Sequence, residues 1–127
     1  MDKAELDIQK RFVKTFQGLE KELEATNSKI NATGWQQRNE LISHVYSGYN
    51  NHEKLNNKRE EHQKLIQRGN IIKYIYETMQ EKRDLYGYFE NPETIIQLLE
   101  NLIKESIEKE LYEVAHELNL WLQQLKA

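Results

Sequence analysis

Glu113 and His116 come nearer to a metal site than any other pair in this sequence. A Glu-x-x-His step sets both side chains on one helix face, the half-site arrangement of carboxylate-bridged di-iron bundles. A working site of that kind needs a second Glu-x-x-His on a facing helix, and none of the other three histidines, His44, His52 and His62, supplies it. A solvated helix face accounts for the pair, and no metal and no cofactor are expected. Glu40 and His44, four residues apart, suit a surface hydrogen bond or an ion pair at low pH. The chain has no cysteine, which removes thiolate nucleophiles, thiolate zinc sites and disulfides. It also has no glycine-rich phosphate loop and no Gly-x-Ser-x-Gly turn. No hydroxyl stands beside a visible base, so no catalytic residue is named and the chain is expected not to be an enzyme.

Two binding chemistries remain. The tract from 54 to 68 carries Lys54, Lys58, Arg59, Lys64 and Arg68, interleaved with Glu60 and Glu61. A nucleic-acid helix shows a denser basic stripe, with aromatic side chains for stacking on single strands, so a salt-bridged exposed helix is the simpler reading. The second chemistry is aromatic. Tyr86, Tyr88 and Phe89 surround Gly87, and Tyr46 and Tyr49 flank Gly48. Tyrosine offers an apolar body with a polar tip and is a common anchor of protein interfaces. With Phe12 and Phe16 on the seam of the first helix, these seven residues form the expected partner-binding set.

The elements that must position them read as helices. The 127 residues hold one proline and five glycines, with 38% hydrophobic and 31% charged side chains. Net charge is -3, with residues 1–70 slightly basic and 71–127 acidic, which is not the strongly basic balance of a phosphate-backbone binder. No apolar leader and no run of about 18 apolar residues is present, so a cytoplasmic location is expected. Phe12, Phe16, Leu19, Leu23 and Ile30 step along one helix face, with Thr26 between them. Asn31 to Gly34 predicts a turn, Thr33 capping a second helix that opens near Gly34 or Trp35. From 50 to 64 the apolar signal falls to Leu55 alone, so this helix either continues as a solvated rod or breaks near 48–52. Gly69 predicts a stop. Ile72, Ile75, Met79 and Tyr86 then form another face, and Asn91-Pro92-Glu93 marks a helix start with Asn91 as N-cap. Between 92 and 125 the apolar phase shifts, from Ile95, Leu99, Leu102 and Ser106 to Ile107, Leu111, Val114, Leu118, Trp121 and Leu125. The shift fits one rotating helix or two joined near 105–110.

The stretch Ile107 to Leu118, IEKELYEVAHEL, resembles the junction between paired helices in tetratricopeptide-type repeats. In that family an alanine shortly after a turn lets the two helices approach, and Ala115 stands in the corresponding place. The resemblance covers about a dozen residues, with no second copy at a period of about 34, and it carries no family assignment.

The fold class is therefore all-α, with four to five helices in a single domain, 1–127. A coiled-coil-like N-terminal hairpin spans 3–68, including the polar tract 50–64, and packs with an apolar helical unit, 71–125. Phe12 and Val13 would face the polar tract across such a hairpin, so they are expected to meet the C-terminal unit or a second protomer, and a homodimer is expected. The expected function is a non-enzymatic protein–protein interaction module, a small helical adaptor, regulator or chaperone acting through a groove or seam. A nucleic-acid-associated regulator using 54–68 is the alternative, and a helical metalloenzyme built on Glu113 and His116 comes third.

Overall fold

A computed structural model describes residues 2–48 and 52–126. It is all-helical: α1 (Lys3–Tyr46), α2 (His52–Glu81), α3 (Pro92–Glu108) and α4 (Tyr112–Lys126), with α1 packed on α2 and α3 on α4. No strand occurs among the described residues. The chain divides into two compact units, one of residues 1–21 and 71–127, the other of residues 22–70. Helices α1 and α2 each contribute to both.

Helix α1 is capped by Asp2, whose Oδ1 accepts the Glu5 amide at 2.8 Å, and Glu5 in the first turn favours the positive end of the helix. The turn expected at 31–34 does not form. Thr33 lies inside α1 and directs its hydroxyl back to the carbonyls of Lys29 and Ile30, at 3.0 and 3.1 Å. No proline interrupts the stretch, so the helix passes through at only the propensity cost of Gly34, about 1 kcal/mol. The chain reverses instead at Ser47-Gly48, where Gly48 takes a φ of 72°, and helix resumes at His52. Of the weak point expected at 48–52, positions 49–51 lie outside the described residues.

The stop expected at Gly69 is absent as well, because α2 continues to Glu81. A Cβ at Gly69 would sit 3.2 Å from Ile30 Cδ1 and 3.4 Å from Thr26 Cγ2, so this glycine serves the close approach of α1 and α2. The same unit holds the Thr33 hydroxyl 2.8 Å from His62 Nδ1 and an Arg68–Glu22 ion pair at 3.1 Å. Its apolar burial is slight. Leu55 is its one buried hydrophobic side chain among the described residues, beside buried Thr26, Thr33 and His44. The Thr26 hydroxyl finds no hydrogen-bond partner there.

The other unit contains the core. Phe12, Phe16 and Leu19 of α1 and Ile72, Ile75 and Met79 of α2 are buried with Phe89, Ile95, Leu99, Leu118, Trp121, Leu122 and Leu125. Phe12 and Phe16 thus meet the C-terminal part of their own chain. Phe16 stacks on Tyr76 with ring centroids 4.7 Å apart, and Phe89 lies 5.7 Å from Phe12 and 5.8 Å from Phe16 in tilted and edge-on contacts. Buried Trp121 donates its Nε1–H to Glu117 Oε1 at 3.1 Å, which satisfies the indole in the core.

The phase shift in the last third resolves into two helices. Lys109 ends α3, and Glu110 adopts a left-handed φ of 61°. The Leu111 amide donates to Ser106 O and the Glu110 amide to Ile107 O, the bond pair of a Schellman motif, with glutamate where glycine is usual. Ile107 and Leu111, placed by their spacing on the second buried face, flank this turn and are half exposed. On the exposed side, Lys109 Nζ lies 2.9 Å from Glu105 Oε1. The hydrogen bond and positive charge of Lys109 hold the Glu105 carboxyl below the ordinary carboxylate range and raise the Lys109 amine. At its start α3 has Pro92 in the first position, as expected. Asn91, however, is left-handed (φ 46°) and makes no side-chain cap, its carbonyl accepting the Thr94 amide at 2.9 Å instead.

Candidate functional site

Between α2 and α3 the chain makes a short turn that organises the most distinctive surface of its unit. Asp84 Oδ1 accepts the amides of Tyr86 at 2.8 Å and Tyr88 at 2.9 Å, an Asx arrangement. The Asp84 amide in turn donates to Tyr88 O at 2.8 Å. Gly87 supplies the φ of 86° that closes the turn. Arg83 locks it further, its Nε donating to Gly87 O at 3.1 Å while the guanidinium lies over the rings of Phe16 and Phe89, 5.1 and 5.6 Å from their centroids.

Besides these ring contacts, one side chain of α1 hydrogen-bonds the end of the turn. Gln9 Nε2 donates to Phe89 O at 2.8 Å, and the Phe89 amide donates to Gln9 Oε1 at 2.7 Å. Gln9 is buried, so this amide clasp satisfies both backbone groups of Phe89 where bulk water does not compete strongly. Phe89 is thereby directed inward. Leu85 is fully exposed, Tyr86 is 87% exposed and Tyr88 42%.

Tyr86 and Tyr88 border an open groove of about 380 Å³, whose opposite wall is the first half of α1. Leu6 and Val13 supply apolar surface along that wall, and Tyr86 and Tyr88 supply it on the turn. Lys10, Lys14 and Arg83 give the groove its charge. Among the described residues no carboxylate lies within ion-pair distance of these three cations. The surrounding unit is net negative, since residues 1–21 carry five basic and four acidic side chains and residues 71–127 carry six and eleven. The groove is thus a cationic, partly apolar depression on an acidic unit.

The expected partner-binding residues separate cleanly. Tyr86 and Tyr88 come together at the groove. Phe12, Phe16 and Phe89 were expected on a partner surface and are instead core, at 0%, 5% and 3% exposure, because each fills the interior of its own unit. Tyr86, expected on the buried face of a helix with Ile72 and Met79, lies beyond the end of α2 and is exposed. Tyr46 ends α1 in the other unit, largely exposed, and Tyr49 lies outside the described residues. Trp35, expected at a helix start, is in the middle of α1 and 62% exposed.

The candidate chemistries take their places as follows. Glu113 and His116 are exposed in the first turns of α4, and no group of three or more potential metal ligands occurs among the described residues. His44 is buried and Glu40 half-buried, so the two lie less open to solvent than a surface pair would. Within the 54–68 tract, Lys58 Nζ reaches Gln36 Oε1 at 3.2 Å and Glu61 at 3.4 Å, and Arg68 pairs with Glu22. Part of that tract's charge is therefore engaged within its own unit. No helix is long and apolar enough to cross a membrane among the described residues.

Leu6, Lys10, Lys14 and Arg83 were not singled out by the sequence, and Val13 only as a neighbour of Phe12 on the start of the first helix. One signal was available: Leu6, Lys10, Val13 and Gln17 recur at helical spacing on a face distinct from that of Phe12, Phe16 and Leu19. No protein-family model, no curated protein and no solved structure matches the chain.

Proposed function

We propose that this chain is a non-enzymatic protein–protein interaction module, and that its binding surface is the groove between the start of α1 and the Asp84–Tyr88 turn. The observation that carries the reading is the combination lining that groove: Leu6, Val13, Tyr86 and Tyr88 as apolar surface, with three cations that have no carboxylate within ion-pair distance among the described residues. Apolar surface in a concave site favours a ligand side chain of the same character, and the cations favour carboxylates on either side of it. Three cations are few for a phosphate backbone, whose binding rests on many simultaneous neutralisations. The ligand is therefore read as an acidic peptide segment bearing aliphatic or aromatic residues, presented by another protein.

Support also comes from the way the site is built. The Gln9 clasp, the Asp84 bonds and the stacked Arg83 fix the turn before a ligand arrives, which lowers the ordering cost of binding. The test is amide shift mapping of the labelled full chain with a short peptide of Glu, Asp, Leu and Phe. Shifts confined to Leu6–Gln17 and Arg83–Tyr88, weakened by Lys14→Glu and by Tyr88→Ser, are expected. Shifts scattered over α3 and α4, or none, would overturn the reading.

A further inference from the structure

Residues 22–70 form a pair of helices with one buried hydrophobic side chain, Leu55, among those described, yet the same unit leaves several large apolar side chains exposed. Their placement is ordered. Thr26, Thr33 and His44, separated by 7 and 11 residues, are the buried positions of this part of α1 and share one helix face. Trp35, Ile42 and Tyr46, separated by 7 and 4 residues, share another. Thr33 and Trp35 are two residues apart, about 200° around a helix that advances 100° per residue, so the two faces are opposite. Val45 flanks the second face, half exposed. Its cation, Arg38, lies over the Trp35 ring at 4.9 Å from the centroid. The face is thus largely apolar and aromatic, with the exposed amide of Asn39 between Trp35 and Ile42 and the charge of Arg38 stacked on its own tryptophan.

We propose that this Trp35–Ile42–Tyr46 face is a self-association surface, occupied by the same face of a second copy of the chain. The area decides for a second copy. At roughly 150–250 Å² for a whole aromatic side chain, Trp35 and Tyr46 together leave about 300 Å² uncovered, and Ile42 and Val45 bring the patch to the order of 500 Å². Two such faces contribute about 1,000 Å² of apolar area, and the polar rim around them carries the contact into the 1,200–2,000 Å² range of stable interfaces. The surface is also self-complementary. An antiparallel pairing about a twofold axis sets Trp35 of each copy opposite Tyr46 of the other and brings the two Ile42 side chains within a turn of each other. Arg38 then falls opposite Ser43 rather than opposite its own copy, so no like charges are forced together. This surface differs from the Phe12–Phe16 seam on which the sequence placed a dimer, and it is independent of the groove proposed above.

The test is sedimentation equilibrium of the full chain from about 1 to 100 µM, a range that brackets micromolar dissociation constants. The expected result is a mass rising from 15.3 kDa towards twice that value. Trp35→Glu and Tyr46→Glu, both at exposed positions, are expected to keep the helical circular dichroism signal and to weaken the dimer by at least about thirtyfold, the effect of a hot-spot residue. Trp121 is buried in the other unit, so a concentration-dependent blue shift of tryptophan emission reports Trp35. Lys14→Glu, in the groove, is expected to leave the association unchanged. A wild type monomeric throughout the range would overturn the proposal, as would a dimer indifferent to both face substitutions.

Discussion

Removing the Gln9 side chain tests whether the turn that carries Tyr86 and Tyr88 is held by one amide. Gln9→Ala deletes two hydrogen bonds, to Phe89 O at 2.8 Å and from the Phe89 amide at 2.7 Å, and leaves both backbone groups without partners in a buried setting. Each unsatisfied group costs about 1–3 kcal/mol, so a loss of about 2–6 kcal/mol is expected. Gln9 also borders the groove, and water reaching the truncated site places the loss towards the lower end. Against a total of roughly 0.05–0.15 kcal/mol per residue, that is a substantial share of the stability. Urea denaturation is expected to show a lower midpoint at unchanged slope, and calorimetry a melting point lower by about 10 °C, at 2–4 °C or more per kcal/mol. Gln9→Glu adds a sign. The carboxylate still accepts the Phe89 amide but turns a second oxygen towards Phe89 O, and protonation restores the donor. The Gln9→Glu deficit should therefore shrink on acidification, whereas that of Gln9→Ala should not follow this pattern. A Gln9→Ala loss below about 0.5 kcal/mol would refute the clasp as the fastening of the turn.

Four further outcomes follow from the same geometry. A Cβ at Gly18 meets nothing closer than Trp121 Cζ3 at 3.6 Å, an ordinary contact, so Gly18→Ala should stabilise by up to about 1 kcal/mol in denaturant unfolding. Gly87→Ala places a side chain at a φ of 86° and 3.2 Å from Arg83 Nη2; it should destabilise by about 1–2 kcal/mol and weaken peptide binding at the groove. Glu110→Gly relieves a left-handed glutamate and, after the added chain entropy, should stabilise by about 0.5–1 kcal/mol in thermal unfolding. Glu105 should titrate below an ordinary glutamate by NMR, its charged form favoured as pH rises, and Lys109→Gln should return it upward. The pair lies on the surface, so no measurable stability change is expected from that variant.

The helical class was legible because apolar spacing and the scarcity of proline act locally, and Pro92 marked the start of α3 at the right residue. The hairpin bend was misread for a physical reason. Asn31-Ala32-Thr33-Gly34 and Arg68-Gly69-Asn70 carry residues that favour turns, but Thr33 finds helix carbonyls and Gly69 admits Ile30 and Thr26 from α1. Only packing reveals that use of a glycine. The turn at Lys109–Leu111 showed only as the shift of apolar phase, one reading of which was two helices joined near 105–110, since glutamate stands where glycine would have announced it. Tyr86 and Tyr88 could be found from Gly87, a local signal. Gln9 could not, because its partner is 80 residues away and a polar residue gives no periodic sign that it will be buried.

The central claim is that Lys10, Lys14 and Arg83 select an acidic, apolar-bearing segment for the groove. A charge exchange addresses it most directly: binding isotherms of the wild-type chain and of a Lys10→Glu/Lys14→Glu variant with two short peptides, one of Glu and Leu and one of Lys and Leu. The wild type is predicted to prefer the acidic peptide, with affinity falling as salt rises, and the variant to prefer the basic one. Equal binding of both peptides by both chains, or no binding by either, would contradict the claim.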